Sequence, residues 1–183
     1  MKFVLVAGDY AQSEVMEMLG NKLQEKGHAI ALFLRRGKKE PLPIEDIRKE
    51  IQSSDWLVSG MSNVSDDEVA AVRSAHEYGK LVALYADTFA NYRFPAFEPI
   101  RGFVKKLFTI NQSEADDAAS VFPKNTEIVL TGNPRWEEFA FPVFSREEVR
   151  EQLSVPEDWT IVLCPGDKYL VLLTFTQLPS NMV

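Results

Sequence analysis

Asp87, Asn91, Tyr92 and Arg93 place a carboxylate, an amide, a phenol and a guanidinium in one seven-residue window. A carboxylate in such company has two uses. Raised in pKa by burial, it takes a proton from a hydroxyl as a general base; otherwise it caps the turn that follows. Asp87 is the one candidate catalytic residue. Arg93 either pairs with Asp87 or meets a phosphate. The stretch runs on to Gly102 through Phe89, Phe94 and Phe97, with Pro95 and Pro99 stiffening it. Connections of this kind have a median of ~4–6 residues, so one this long is either functional or a flap over the sheet edge. Aromatic rings beside a carboxylate and an amide suit stacking on a sugar or another ring.

A second set of candidates is scattered along the chain: Gly8, Asp9 and Tyr10, then Ser62 and Asn63, then Asn133 and Arg135. With Asn91, Tyr92 and Arg93 they form the expected ligand-binding group. Gly8 is either a plain strand-to-helix turn or a point where a phosphate or sugar approaches a helix N-terminus. It stands alone, without G-x-G-x-x-G or a P-loop lysine, so a dinucleotide or ATP site is disfavoured and no cofactor is expected. No metal is expected either. His28 reads as a turn residue and His76 as half-buried on a helix face. Cys164, the single cysteine, reads as a small core residue.

Each candidate follows a short apolar run. The runs are Phe3–Ala7, Ala29–Leu34, Trp56–Ser59, Leu81–Ala86, Lys106–Ile110, Glu127–Thr131 and Thr160–Cys164. Most are continuously apolar, which marks strands covered on both faces. Helical periodicity fills the gaps. Val15, Met18, Leu19 and Leu23 form a stripe in a helix from about Ala11 to Lys26 that stops at Gly27. Ile44–Ile51 is a short helix, and another begins at Asn111 and ends before Pro123. Ser65–Glu68 and Ser145–Glu148 are capping boxes, the first opening a helix that ends near Gly79. Strand–helix alternation predicts a three-layer, Rossmann-like α/β sandwich with a mostly parallel sheet of six to seven strands. In such a sheet the candidates all fall at the C-terminal edge of the strands, where ligands bind.

The chain has 183 residues and a net charge of −7, which disfavours nucleic acid as a partner. Its one basic knot, Arg35, Arg36, Lys38 and Lys39, is read as a solvated turn or a local anion contact. No transmembrane segment is expected, since no apolar run approaches the ~18 residues of a span. The lone cysteine and the absence of a signal-type segment suggest a reducing, cytoplasmic setting.

The segments "EKGHAIALFL" (Glu25–Leu34), "YADTFANYRFPAF" (Tyr85–Phe97), "TINQSEADDA" (Thr109–Ala118) and "LTGNPRWEEF" (Leu130–Phe139) resemble the N-terminal half of GT-B glycosyltransferases. The polysaccharide-biosynthesis and UDP-GlcNAc 2-epimerase-like members are the most similar. The resemblance implies an acceptor-binding domain, with the sugar nucleotide held by a second domain and catalysis in the cleft between, usually without a required metal. It implies that Gly8, Asp9, Asp87 and Asn91 through Arg93 face that cleft and that Gly132 through Arg135 lead to the hinge. Residues 1–158 would be this domain, and residues 159–183 the first strand of a second domain or a tail packed on the sheet or a partner. Fifteen residues follow Lys168, whereas a full second domain needs on the order of 150. The expected partners are therefore a sugar or glycolipid acceptor and a donor-binding chain. The alternative is a stand-alone, non-catalytic binding domain whose apolar tail, Tyr169–Val183, seals a homodimer.

Overall fold

A computed structural model of the chain describes residues 1–36, 41–63, 66–157, 159–165 and 170–175. It divides into two compact units, Met1–Glu137 and Glu138–Val183. The first holds six strands: β1 (Lys2–Ala7), β2 (Ala29–Leu34), β3 (Trp56–Ser59), β4 (Leu81–Tyr85), β5 (Lys106–Thr109) and β6 (Glu127–Leu130). They form one sheet in the order β2-β1-β3-β4-β5-β6, every pair parallel. Its helices are α1 (Tyr10–Glu25), α2 (Ile44–Gln52), α3 (Asp67–Glu77) and α4 (Gln112–Ala119). Two 3₁₀ segments, Asn91–Arg93 and Pro95–Phe103, join β4 to β5. The Rossmann-like α/β sandwich expected from the sequence is the observed architecture.

The seventh apolar run takes a different place. In the second unit β7 (Thr160–Pro165) pairs antiparallel with β8 (Leu170–Phe175) in a separate two-stranded ladder. Cys164 lies in β7, and its surroundings fall outside the described side chains. α5 (Arg146–Gln152) precedes this ladder and keeps the capping box read at Ser145: Glu148 N donates to Ser145 Oγ, and Ser145 N donates to Glu148 Oε2.

Right-handed crossovers fix which face each connection covers. The chain steps from β1 to β2 in one direction, and every later step runs the other way. α1 therefore lies on one face, and α2, α3, the 3₁₀ segments and α4 on the other. The side chains sort accordingly. Val4, Val6, Leu57, Val82, Leu84 and Leu107 pack with Ile47, Ile51, Val69, Val72, Phe97 and Ala118. Leu5, Ala7, Val58, Ala83 and Tyr85 pack with Val15 and Met16 of α1 alone.

α1 is rolled relative to the expected stripe. Its buried residues are Gln12, Ser13, Val15, Met16 and Gly20, while Met18 is 44% exposed. Gly20 explains the roll. A Cβ there would lie 3.2 Å from Leu32 Cδ2 and 3.3 Å from Leu5 Cδ1, so the bare glycine lets α1 settle onto β1 and β2. His76 also departs from expectation. It is exposed, one residue beyond Ala75 at the margin of the buried face, and its ring stacks on Phe103 with centroids 3.7 Å apart. His28 sits in the turn before β2 beside Phe3, as read. No described helix is long and apolar enough to cross a membrane.

The seating of α1 is testable. Replacing Gly20→Leu overfills the contact with Leu5 and Leu32, and the expected loss is about 1–3 kcal/mol, read as a lower urea midpoint with an unchanged m-value. An unshifted midpoint would show that α1 does not rest on this close approach.

Candidate functional site

The first and third crossovers leave β1 and β3 in opposite directions, which opens a crevice at the C-terminal ends of these neighbouring strands. Gly8 ends the β1 side and Gly60 the β3 side. Gly60 N donates to Val6 O at 2.9 Å, which carries the pairing to the edge of the crevice. Gly60 has no room for a side chain: a Cβ would fall 2.0 Å from Gln12 Oε1 and 2.8 Å from Glu68 Oε1.

Glu68 bridges the crevice. It lies in the first turn of α3 and is completely buried. Gly8 N donates to its Oε1 at 2.9 Å, and Ser62 N and Oγ donate to its Oε2 at 2.9 and 2.6 Å. Burial penalises its charge and pushes the carboxyl up to about 7; the three donors oppose that, and the nearby Asp9 charge adds to it. The expected capping role is thus replaced. Ser65 lies outside the described residues, α3 begins at Asp67, and no side-chain cap bond is made by Asp66. The helix starts over the crevice, so its first-turn glutamate points inward to the backbone N–H groups there.

Asp87 follows β4 and is 5% exposed. Its Oδ1 accepts from Gln12 Nε2 at 3.1 Å and from Asn91 Nδ2 at 3.0 Å, and its carbonyl accepts from Asn133 Nδ2 at 3.0 Å. Burial raises its pKa; the Gln12 bond pulls the other way, the Asp9 charge pushes up again, and Arg135 opposes. Each holding amide keeps an acceptor in reserve: Gln12 Oε1 and Asn91 Oδ1 are buried with no hydrogen-bond partner.

The structure brings Gly8, Ser62, Asp87, Asn91 and Asn133 into two hydrogen-bonded sets that flank Gly60: Gly8 and Ser62 on Glu68, and Asn91 and Asn133 with Gln12 on Asp87. It sends the others elsewhere. Asp9 N-caps α1, accepting from Gln12 N at 2.9 Å. Tyr10 and Asn63 are exposed. Arg93 does not pair with Asp87. Its Nε and Nη2 donate to Asp117 at 2.7 and 2.6 Å, and Tyr92 Oη donates to the same carboxylate at 2.7 Å. Those donors hold Asp117 down at about 2. Arg135 pairs with Glu14 at 2.6 Å.

The aromatic stretch is mostly core. Tyr92 and Phe97 are wholly buried, Phe94 is half-buried, and Phe89 is 66% exposed. The expected ring-stacking platform is therefore reduced to Phe89. Ala90 takes a left-handed conformation at φ 55°, held by donating its N–H to Glu114 Oε2 at 2.6 Å. No cluster of three or more His, Cys, Asp or Glu suited to a metal occurs among the described residues.

Sequence reading missed Glu68 and Gln12. Gln12 had a signal: it stands three residues after the capping Asp9 and four before the buried Met16, on the inward row of α1. Glu68 had one too, since it directly precedes Val69 on the face that meets the sheet.

No protein-family model matches the chain, and no curated protein matches it. Solved structures show distant likeness. A CMP N-glycosidase from Clostridium botulinum matches with a TM-score of 0.38 and 13% identity over 85% of this chain and 100% of that one. A carbohydrate kinase from Agrobacterium tumefaciens matches at 0.40 and 16%, over 71% of this chain and 53% of that one. A cysteine desulfurase from Thermococcus onnurineus NA1 matches at 0.35 and 15%, over 48% of this chain and 22% of that one. The chain thus spans about half of the kinase and a fifth of the desulfurase. None of the three bears a glycosyltransferase name, and such distant likeness adds nothing to the architecture seen in the strands themselves.

The neutral form of Glu68 is favoured in the folded state, so its stabilising contribution is complete below its ordinary pKa of 4.5. That contribution is lost as pH rises through about 7. The stability difference between the native chain and Glu68→Gln should therefore fall by about 3 kcal/mol across this window. Urea unfolding at a series of pH values measures it. Parallel curves for the two proteins would show that Glu68 does not titrate there.

Proposed function

We propose that the C-terminal edge of this sheet binds a hydroxyl-rich, sugar-type ligand. In this reading the chain is the acceptor-side domain of a GT-B-like glycosyltransferase, with the nucleotide sugar held by another domain. One observation carries the reading. The Asp87 carboxylate is held by two amides, and both keep an unpartnered carbonyl oxygen beside it. Buried acceptors without donors are costly. Three acceptor groups gathered at one strand end therefore suit a ligand that brings O–H donors. A hydroxyl reaching Asp87 Oδ2 would meet a carboxylate whose pKa burial has raised, which is what deprotonating a sugar hydroxyl requires. The resemblance of Tyr85–Phe97 and Leu130–Phe139 to the GT-B N-terminal half supports the same assignment.

In this mechanism Asp87 accepts the proton of the acceptor hydroxyl. Gln12 and Asn91 fix the carboxylate, and Asn133 fixes its backbone. Glu68 keeps the Gly8 and Ser62 loops together and acts as a positioning residue. Transfer needs both reactants held together, so this chain alone should leave a sugar nucleotide intact.

The test is titration of the full chain with methyl glycosides and N-acetylglucosamine, followed by calorimetry or ligand-observed NMR. Binding by the native chain, weakened at least tenfold by Asp87→Asn at an unchanged melting temperature, is the expected result. Equal affinity of the two proteins, or no binding of any of these sugars, would overturn the assignment. Turnover of UDP-N-acetylglucosamine by the purified chain would overturn the half-enzyme form of it.

A further inference from the structure

The close seating of α1 on β1 and β2 has an effect on the other strands. With Gly20 against Leu5 and Leu32, the helix covers Ala83 and Tyr85 of β4 but leaves Phe108 on the same face of β5 half-buried. In parallel register, side chains level with Leu5 run through Val58 and Ala83 to Lys106 and Glu127. Lys106 and Glu127 form a half-exposed ion pair at 2.8 Å, so the outer strands of this face reach solvent. Between them and α1 lies a groove of about 560 Å³, within the range of small-molecule sites. Val15, Met18 and Leu19 form its helix wall, and Val58, Tyr85 and Phe108 its floor.

The two ends of the groove differ. At the upper end are Thr131 and Pro134, with Tyr85 Oη donating to Gly132 O at 3.3 Å. Tyr85 is the last residue of β4, two residues before Asp87. Its phenol is raised by burial and then by the Asp87 carboxylate, with Arg135 opposing, which places both charges close to this end. Lower down the walls are apolar, and of the charged lining residues Lys22 pairs with Glu25 at 3.0 Å, while Glu137 adds a carboxylate to the lining. Arg135 is likewise paired, with Glu14. The lining cation, Lys22, is thus already paired, so the groove does not call for an anionic chain. Apolar walls with a polar, acceptor-rich end match an uncharged chain attached to a hydroxylated head.

We infer that this groove is a binding site for the hydrocarbon chain of an amphipathic hydroxylated ligand, its head at Asp87 and its chain lying along α1 over Val58 and Phe108. The position of the head rests on the sugar-binding reading above; the groove for the chain rests on its own lining.

Titration of the full chain with methyl, butyl, hexyl and octyl β-glucosides, each below its micelle-forming concentration, separates the two. Affinity should rise with each added methylene, by up to about fourfold per step. Met18→Glu puts a charge on an exposed helix position and should flatten this rise while leaving methyl glucoside affinity and the melting temperature unchanged. Asp87→Asn should weaken all four ligands by the same factor and leave the rise intact. No rise with chain length, or a rise that Met18→Glu does not touch, would overturn the groove assignment. A rise with no effect of Asp87→Asn would keep the groove and overturn the sugar reading. A dimer that Met18→Glu converts to monomer, without any chain-length effect, would give the groove to a second copy and overturn the inference.

Discussion

The carboxylate of Glu68 accepts from the backbone of Gly8, from the backbone of Ser62 and from its hydroxyl, all without contact with water. Parallel strands leave their last N–H groups pointing into the crevice between β1 and β3. Those donors must be satisfied, because an unpaired buried N–H costs about as much as a lost hydrogen bond. A single glutamate satisfies the loops of both strands and pins α3 above them. A side chain at Gly60 would have to displace the Gln12 and Glu68 ends that already fill the space. Burial works against ionising the group that does this, which leaves its pKa near neutrality.

Asp87 depends on the same construction. Gln12 reaches it only because α1 starts immediately after Gly8 with Asp9 as its cap, which turns the next helical residue on that row inward. Asn91 reaches it because Ala90 accepts a left-handed backbone, held by Glu114 from α4. The loop around it is anchored twice more, by Tyr92 and Arg93 on Asp117 and by Arg101 on the carbonyl of Tyr92. Burying Tyr92, Phe97 and Ile100 makes this long connection part of the core, in place of the helix that a shorter βαβ unit would use. A carboxylate at its root is thereby fixed by packing from one side and by amides from the other.

The strands were legible because a parallel sheet covered on both faces writes continuous apolar runs such as Phe3–Ala7 and Leu81–Tyr85. Their common edge followed from topology alone, and Gly8, Ser62, Asp87, Asn91 and Asn133 lie along it. Polar residues in buried helix positions were not legible. Glu68 in a Ser-Asp-Asp-Glu sequence looks like a helix start, and only its place over the crevice turns it inward. Arg93 was ambiguous for a related reason: its choice of Asp117 over Asp87 depends on a helix more than twenty residues later in the chain. The roll of α1 was hidden because Met18, Leu19 and Leu23 are as apolar as the residues it buries, and the deciding contact is the missing side chain of Gly20.

A single chirality rule underlies both the crevice and the groove. With right-handed crossovers, reversing direction once, between the first connection and the second, parts the loops of β1 and β3 and makes a place for Glu68 and Asp87. The same reversal assigns one helix to one face and all the later connections of this unit to the other. One helix cannot cover six strands: α1 is 16 residues long and is drawn by Gly20 towards β1 and β2. The less covered apolar strip therefore begins past the buried Ala83 and Tyr85 of β4, at half-buried Phe108 of β5, and β4 is the strand that delivers Asp87. A polar acceptor cluster and an apolar groove meet at Tyr85 because both arise from where the chain first turned back.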